Sequence, residues 1–182
     1  MRRSAVLRVA LAAVALLAGV VPVVRAISGA LPERPLPAAI TDPVLARSDY
    51  LENCGGCHGI HGLSAPAQLP ELRNRVGWFM CTPGARAYLV RLPNIAHSRI
   101  SDNQQLADLL NFVVFGLGGD SVPPGTQPYT AAEVTRERQF ALSAASLKKE
   151  RARYVEEAIR MCRAPVAMRL LFPQAAADKI RR

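Results

Sequence analysis

Several things are scarce or missing in this chain, and each absence narrows what it can be. There is no internal repeat, so a solenoid-type architecture is excluded. There is no dense Lys/Arg run in the middle of the chain despite a formal net charge of +9, so nothing marks a nucleic-acid surface. The one long apolar run, residues 9–24, falls short of the roughly 20 residues of a membrane span. Arg8 bounds that run and Pro22 interrupts it. Cysteine is sparse too, with four residues in 182.

What is present begins with a targeting pattern. Arg2 and Arg3 precede the apolar run, and Val24-Arg25-Ala26 offers small residues where a signal peptide is cut. Residues 1–26 are therefore expected to direct export, with an uncleaved membrane anchor as the alternative. Arg2, Arg3, Arg8 and Arg25 all lie in that segment, so a cleaved chain carries a net charge of +5. A moderately basic exported protein suits an acidic protein partner steered by charge.

Residues 27–43 are rich in Pro and Ala and read as an N-terminal arm. Residues 44–53 predict a helix, with Asp42 as its cap, Pro43 at its first position, and Val44, Leu45, Tyr50 and Leu51 as its apolar residues. Residues 59–72 read as loop. Residues 74–80 are ambiguous, residues 85–90 suggest a short helix, and residues 92–100 are irregular. The spacing of Leu106, Leu109, Leu110 and Val113 predicts a helix over 101–115. Ser101 and Gln104 form its capping box and Gly116 its end. Thr130 and Glu133 open a further helical stretch reaching about residue 163, with a break near 143–146. Its last part alternates Lys, Arg and Glu from Lys148 to Arg160, the pattern of a solvated helix face. The tail, 164–182, carries no assignable chemistry.

Residues 54–58 read Cys54-Gly55-Gly56-Cys57-His58. This C-x-x-C-H spacing is the signature of covalent c-type haem attachment. Two thiols three positions apart can each add to a vinyl group of one porphyrin, and the adjacent imidazole can ligate the iron. Attachment of this cofactor after export agrees with the targeting segment. Cys81 and Cys162 remain, an even number in an oxidising compartment, so they read either as one disulfide or as two separate buried thiols. His61 extends the motif to C-x-x-C-H-x-x-H, which in principle is a zinc set. In an exported chain with haem spacing, His61 is expected instead to be exposed in the loop.

A helix entering this motif, a Gly/Pro-rich loop, and a capped helix beginning Ser101-Asp102 together resemble the class I (mitochondrial-type) cytochrome c family. The resemblance covers about residues 44–118. It implies an all-α fold, a small cytochrome c-type haem domain over 44–118, followed by a helical extension over 119–182. It implies that the first and last helices of the haem domain cross, with Tyr50 and Leu51 meeting Leu109, Leu110 or Val113.

It also implies one covalent haem c on Cys54 and Cys57, with His58 as the proximal iron ligand. A proline carbonyl in the following loop accepts the other ring N–H of that histidine in the family. Pro70 is the expected acceptor here and Pro66 the alternative. Trp78 reads either as a donor to a haem propionate or as a plain core aromatic. The family's distal ligand is usually a Met before the closing helix, and residues 86–100 contain none. His97 and Met80 are the distal candidates, with an open site as the third option.

The function implied is periplasmic electron transfer rather than catalysis, as a carrier or redox subunit. The partner would be a redox protein such as a periplasmic dehydrogenase or a terminal oxidase. A haem enzyme or ligand-binding protein with an open distal site is the alternative, with Arg91, Arg99 or His97 as its polar helper. The single motif lacks the two-haem peroxidase pattern. A third reading makes the C-terminal helix a structural or assembly element. A Cys81–Cys162 bridge would tie that extension back onto the haem domain.

Overall fold

The computed structural model describes residues 35–64 and 69–171, all within one compact unit. Residues 1–26, where a targeting segment is expected, the first part of the Pro-rich stretch, Pro66 and residues 172–182 lie outside the described residues. The architecture is all-α, with helices and turns and no strand among the described residues. None of these helices is long and apolar enough to cross a membrane.

Helix α1, Pro43–Tyr50, begins as its sequence predicts. The Asp42 carboxylate accepts the Leu45 N–H at 2.9 Å, and Pro43 occupies the first turn. The helical run then widens through Leu51–Gly55 and closes with Gly56–His58. The whole C-x-x-C-H motif is therefore helical. Gly59, at φ +75°, ends it, and a Cβ there would collide with the Leu63 carbonyl oxygen.

The buried face of α1 matches the expected one only at Tyr50. Val44, Leu45 and Leu51 are exposed, while Ala46, Asp49 and Tyr50 are buried. Ala46 and Tyr50 stand four apart, so they share the face turned to the core. Asp49 is tolerated there because Gln105 Nε2 donates to its carboxylate at 2.9 Å.

Helix α2, Pro83–Arg91, is capped by Thr82. The residues expected to be irregular include a short helix α3, Pro93–Ala96. The ambiguous 74–80 segment folds as a tight helical turn, Val76–Cys81.

Helix α4, Asn103–Asn111, carries the expected stripe. Leu106, Leu109 and Leu110 are buried, each contributing roughly 2 kcal/mol by removing its side chain from water. Its cap is Asp102 rather than Ser101. The Asp102 carboxylate accepts the N–H groups of Gln104 and Gln105 at 2.7 and 2.9 Å. A carboxylate at that position satisfies two orphan donors at once. The helix also outruns Gly116, continuing through Phe112–Leu117. The reversal comes at Gly119, at φ +51°, where a Cβ would strike the Asn74 side chain. The chain meets α1 just past the end of α4, with the Tyr50 and Phe112 rings 5.7 Å apart; Phe112 is not among the partners expected for Tyr50, and Leu51 is exposed.

Helix α5, Ala131–Glu137, starts at Thr130, whose hydroxyl accepts the Glu133 N–H at 3.2 Å. Glu133 does not complete the capping box. Its carboxylate meets Arg86 of α2 at 2.5 and 2.6 Å, a forked pair stronger than a capping bond. Asn111 and Tyr129 exchange two hydrogen bonds, at 2.7 and 3.0 Å, which lock α4 to the chain entering α5. The break before helix α6, Leu147–Cys162, is present and a little wider than expected. Within it the Leu142 N–H donates to the Arg91 carbonyl at 2.8 Å.

Helix α6 buries Tyr154, Val155 and Ala158. Its outer charges pair, Glu150 with Arg153 and Glu156 with Arg169. Cys81 and Cys162 form a disulfide across a sequence separation of 81, so of the two readings for these cysteines the bridge is the one adopted. Beyond α6, Ala164 and Met168 are buried, and the chain doubles back onto residues 71–75. The Pro-rich arm is also pinned, because Thr41 donates to Asp108 of α4 from its backbone at 3.0 Å and its hydroxyl at 2.5 Å.

Candidate functional site

The site is built on the end of α1 and the loop after it. Tyr50 is fully buried, and its hydroxyl donates to the Gly59 carbonyl at 2.5 Å. That bond ties Gly59, the residue that ends the motif's helical run, to the contact between Tyr50 and Phe112. Burial pushes the Tyr50 phenol up to about 12, so the donor proton stays in place across the range where proteins are folded. Gly62 closes the next turn. Its N–H donates to Gly59, and its carbonyl accepts from Leu72 and Arg73.

This brings Pro70 to His58. The ring Nδ1 of His58 lies 2.9 Å from the Pro70 carbonyl oxygen, the acceptor that the family resemblance implied. A carbonyl only accepts, so Nδ1 carries the proton, and Nε2 of the neutral ring keeps its lone pair. Burial lowers the imidazole's tendency to take a second proton, and the Pro70 bond partly offsets that. Ser64, itself buried, donates to the same Pro70 oxygen at 3.1 Å. Nothing in the sequence pointed to Ser64, because a lone serine in a loop carries no motif.

The two motif thiols are unbridged, Cys54 half-buried against the core and Cys57 exposed. Burial, with Cys57 and Asp49 adding to it, pushes the Cys54 thiol up to about 11. Leu51 and Ile60 flank the motif, both exposed, with side-chain atoms converging on the position a Cβ of Gly55 would occupy. His61 is exposed, as expected. Among the described residues no group of three or more His, Cys, Asp and Glu side chains is arranged to hold a metal ion, so a Cys54–Cys57–His58–His61 zinc set is not assembled.

The remaining candidates occupy other places. Trp78 is half-buried on the core, in the Val76–Cys81 turn. Met80 is buried in the same turn and lines an open depression with Cys81, Cys162, Arg86 and residues 123–128. None of Cys54, Cys57 and His58 lines that depression. His97 is exposed just after α3. Its loop is gripped by Arg138, which donates to the carbonyls of Ala96, Ser98 and Ile100. Arg91 is engaged with Glu137 at 2.6 Å, while Arg99 is exposed.

No family model, curated protein or solved structure matches this chain.

Proposed function

We propose that this chain is an exported, periplasmic electron-transfer protein of the class I cytochrome c type, carrying one covalent haem c. Cys54 and Cys57 would hold the porphyrin by thioether bonds and His58 would ligate the iron through Nε2. A haem bound there supplies a one-electron iron couple that cannot leave the chain. The partner is a redox protein, such as a periplasmic dehydrogenase or a terminal oxidase. The reading needs no catalytic residue and no nucleic acid. It involves the membrane only if residues 1–26 stay attached.

One observation carries the reading: the 2.9 Å bond from His58 Nδ1 to the Pro70 carbonyl. It commits one ring nitrogen, fixes the tautomer, and leaves the other nitrogen as an oriented, basic ligand. The rest of the donor set fits. The two motif thiols are unbridged while the other two cysteines pair with each other. Exposed Leu51 and Ile60 beside the motif supply apolar surface for a porphyrin face.

A haem enzyme with an open distal position is the second reading. It draws on the placement of Met80 beside the Cys81–Cys162 bridge and of His97 in an exposed loop. Denaturing gel electrophoresis with haem staining, followed by optical spectra of the oxidised and reduced protein, tests both. Retained stain that is lost in Cys54→Ala/Cys57→Ala supports covalent attachment; no stain in protein made with the export and haem-attachment machinery overturns it. A low-spin spectrum supports the carrier, with the red-end band of sulfur ligation separating Met80 from His97. A high-spin spectrum that shifts with cyanide favours the enzyme.

A further inference from the structure

We propose that the C-terminal strap, residues 164–171, is a positioning element for His58, acting through a single peptide unit. The inference rests on the reading of His58 as an iron ligand, and its geometric core stands on its own. The Pro70 carbonyl and the Glu71 N–H belong to one planar peptide group. Its oxygen accepts from His58 at 2.9 Å and from Ser64 at 3.1 Å. Its N–H donates to the Leu171 carbonyl at 2.8 Å. The plane that aims the acceptor at His58 is thus held from the far side by a residue one hundred positions along the chain.

The strap is itself anchored. Arg75 donates to the carbonyls of Ala167, at 3.0 Å, and Leu170. Arg151 of α6 donates to the Met168 carbonyl at 3.2 Å, and the Met168 side chain is buried. The Cys81–Cys162 bridge fixes the point from which the strap departs. Two consequences follow for His58. Rotation of the Pro70–Glu71 plane is restricted, so the ring orientation is restricted with it. An amide whose N–H is already bonded is also a stronger acceptor at its oxygen, because hydrogen bonds in a chain polarise one another. A stronger acceptor at Nδ1 makes the imidazole a more basic ligand.

The test begins with hydrogen exchange by NMR on the full-length protein as isolated. The Glu71 amide is expected to be protected by about a hundredfold or more, as befits a bond buried under the strap; an unprotected Glu71 amide overturns the proposal. Two variants then loosen the strap, Arg75→Met and a chain ending at residue 169. In either, exchange of the Glu71 amide and of the His58 ring N–H should accelerate together, by about tenfold. In the haem-loaded forms the reduction potential should move positive, as a less basic ligand disfavours the ferric state. Arg169→Ala, which removes only the exposed pair with Glu156, should leave all three unchanged. If the Glu71 amide speeds up while the His58 ring proton and the potential stay as they were, the strap is merely structural and the proposal fails. If no haem is attached, the proposed function falls, but the two exchange rates still decide this coupling.

Discussion

Arg138, from the C-terminal part of the chain, donates through Nη1 to the Asn103 side-chain oxygen at 2.7 Å. The same guanidinium reaches the carbonyls of Ala96, Ser98 and Ile100, so one side chain closes the loop that bears His97. Bonds to a charged donor are worth more than neutral ones, and leaving several carbonyls without a partner adds to the loss. Arg138→Met is therefore expected to destabilise the fold by about 2 kcal/mol, read from urea unfolding. Amide exchange across residues 97–100 should rise in the same variant. A change under about 0.5 kcal/mol would show that the clamp is ornamental.

The two motif thiols should differ in reactivity before any cofactor is attached. Cys57 is exposed, whereas Cys54 is half-buried with its thiol pushed up to about 11. Only thiolate reacts with an alkylating agent. With the Cys81–Cys162 bridge intact, iodoacetamide at about pH 8 should label Cys57 at least roughly ten times faster than Cys54. Peptide mass spectrometry at successive times reads the order, and equal rates would contradict the burial of Cys54.

The bridge between Cys81 and Cys162 closes a loop of 81 residues. In the chain-entropy account such a closure is worth about 4 to 5 kcal/mol, and real bridges commonly deliver about 2 to 4. The double variant Cys81→Ala/Cys162→Ala should lose stability in that lower range by urea unfolding. An unchanged midpoint would mean that the strap and α6 hold their places without the bridge.

Acid should weaken the contact between α2 and α5. Burial tends to raise the Glu137 carboxyl, but hydrogen bonds from Arg91 and Arg136 outweigh it and hold the group below its ordinary value. A carboxyl lowered by folding stabilises the native state above its unfolded value of about 4.3. That contribution disappears as pH falls through the folded value. Stability measured from about pH 5 downward should therefore decline, and Glu137→Gln should decline less steeply while starting lower. Parallel curves would show that Glu137 is not the responsible group.

Local chemistry made part of this legible from sequence. Asp42 and Pro43, Thr130, the apolar stripe of α4 and the break before α6 depend on neighbours a few residues away. The errors fell where several partners compete, nearby or from afar. Ser101 looked like the cap of α4, but Asp102 satisfies two donors. Val44, Leu45, Tyr50 and Leu51 looked like the inner face of α1, but of these only Tyr50 is buried, with Ala46 beside it. Glu133 looked like half of a capping box until Arg86 offered a better partner. Periodicity cannot rank competing partners that only the fold brings together.

The amino-acid order by itself determined the helical class and the motif of Cys54, Cys57 and His58, because spacing within one or two turns dictates both. The expectation of Pro70 came from the resemblance that the motif carries, and the fold supplies the contact itself. Only the tertiary structure decided that Cys81 meets Cys162, that Arg138 closes the His97 loop, and that Leu171 sits behind the Pro70–Glu71 peptide. Those contacts join residues tens of positions apart. What selects them is the burial of Tyr154, Ala164 and Met168 against the rest of the core, a sum over many side chains that no short stretch encodes.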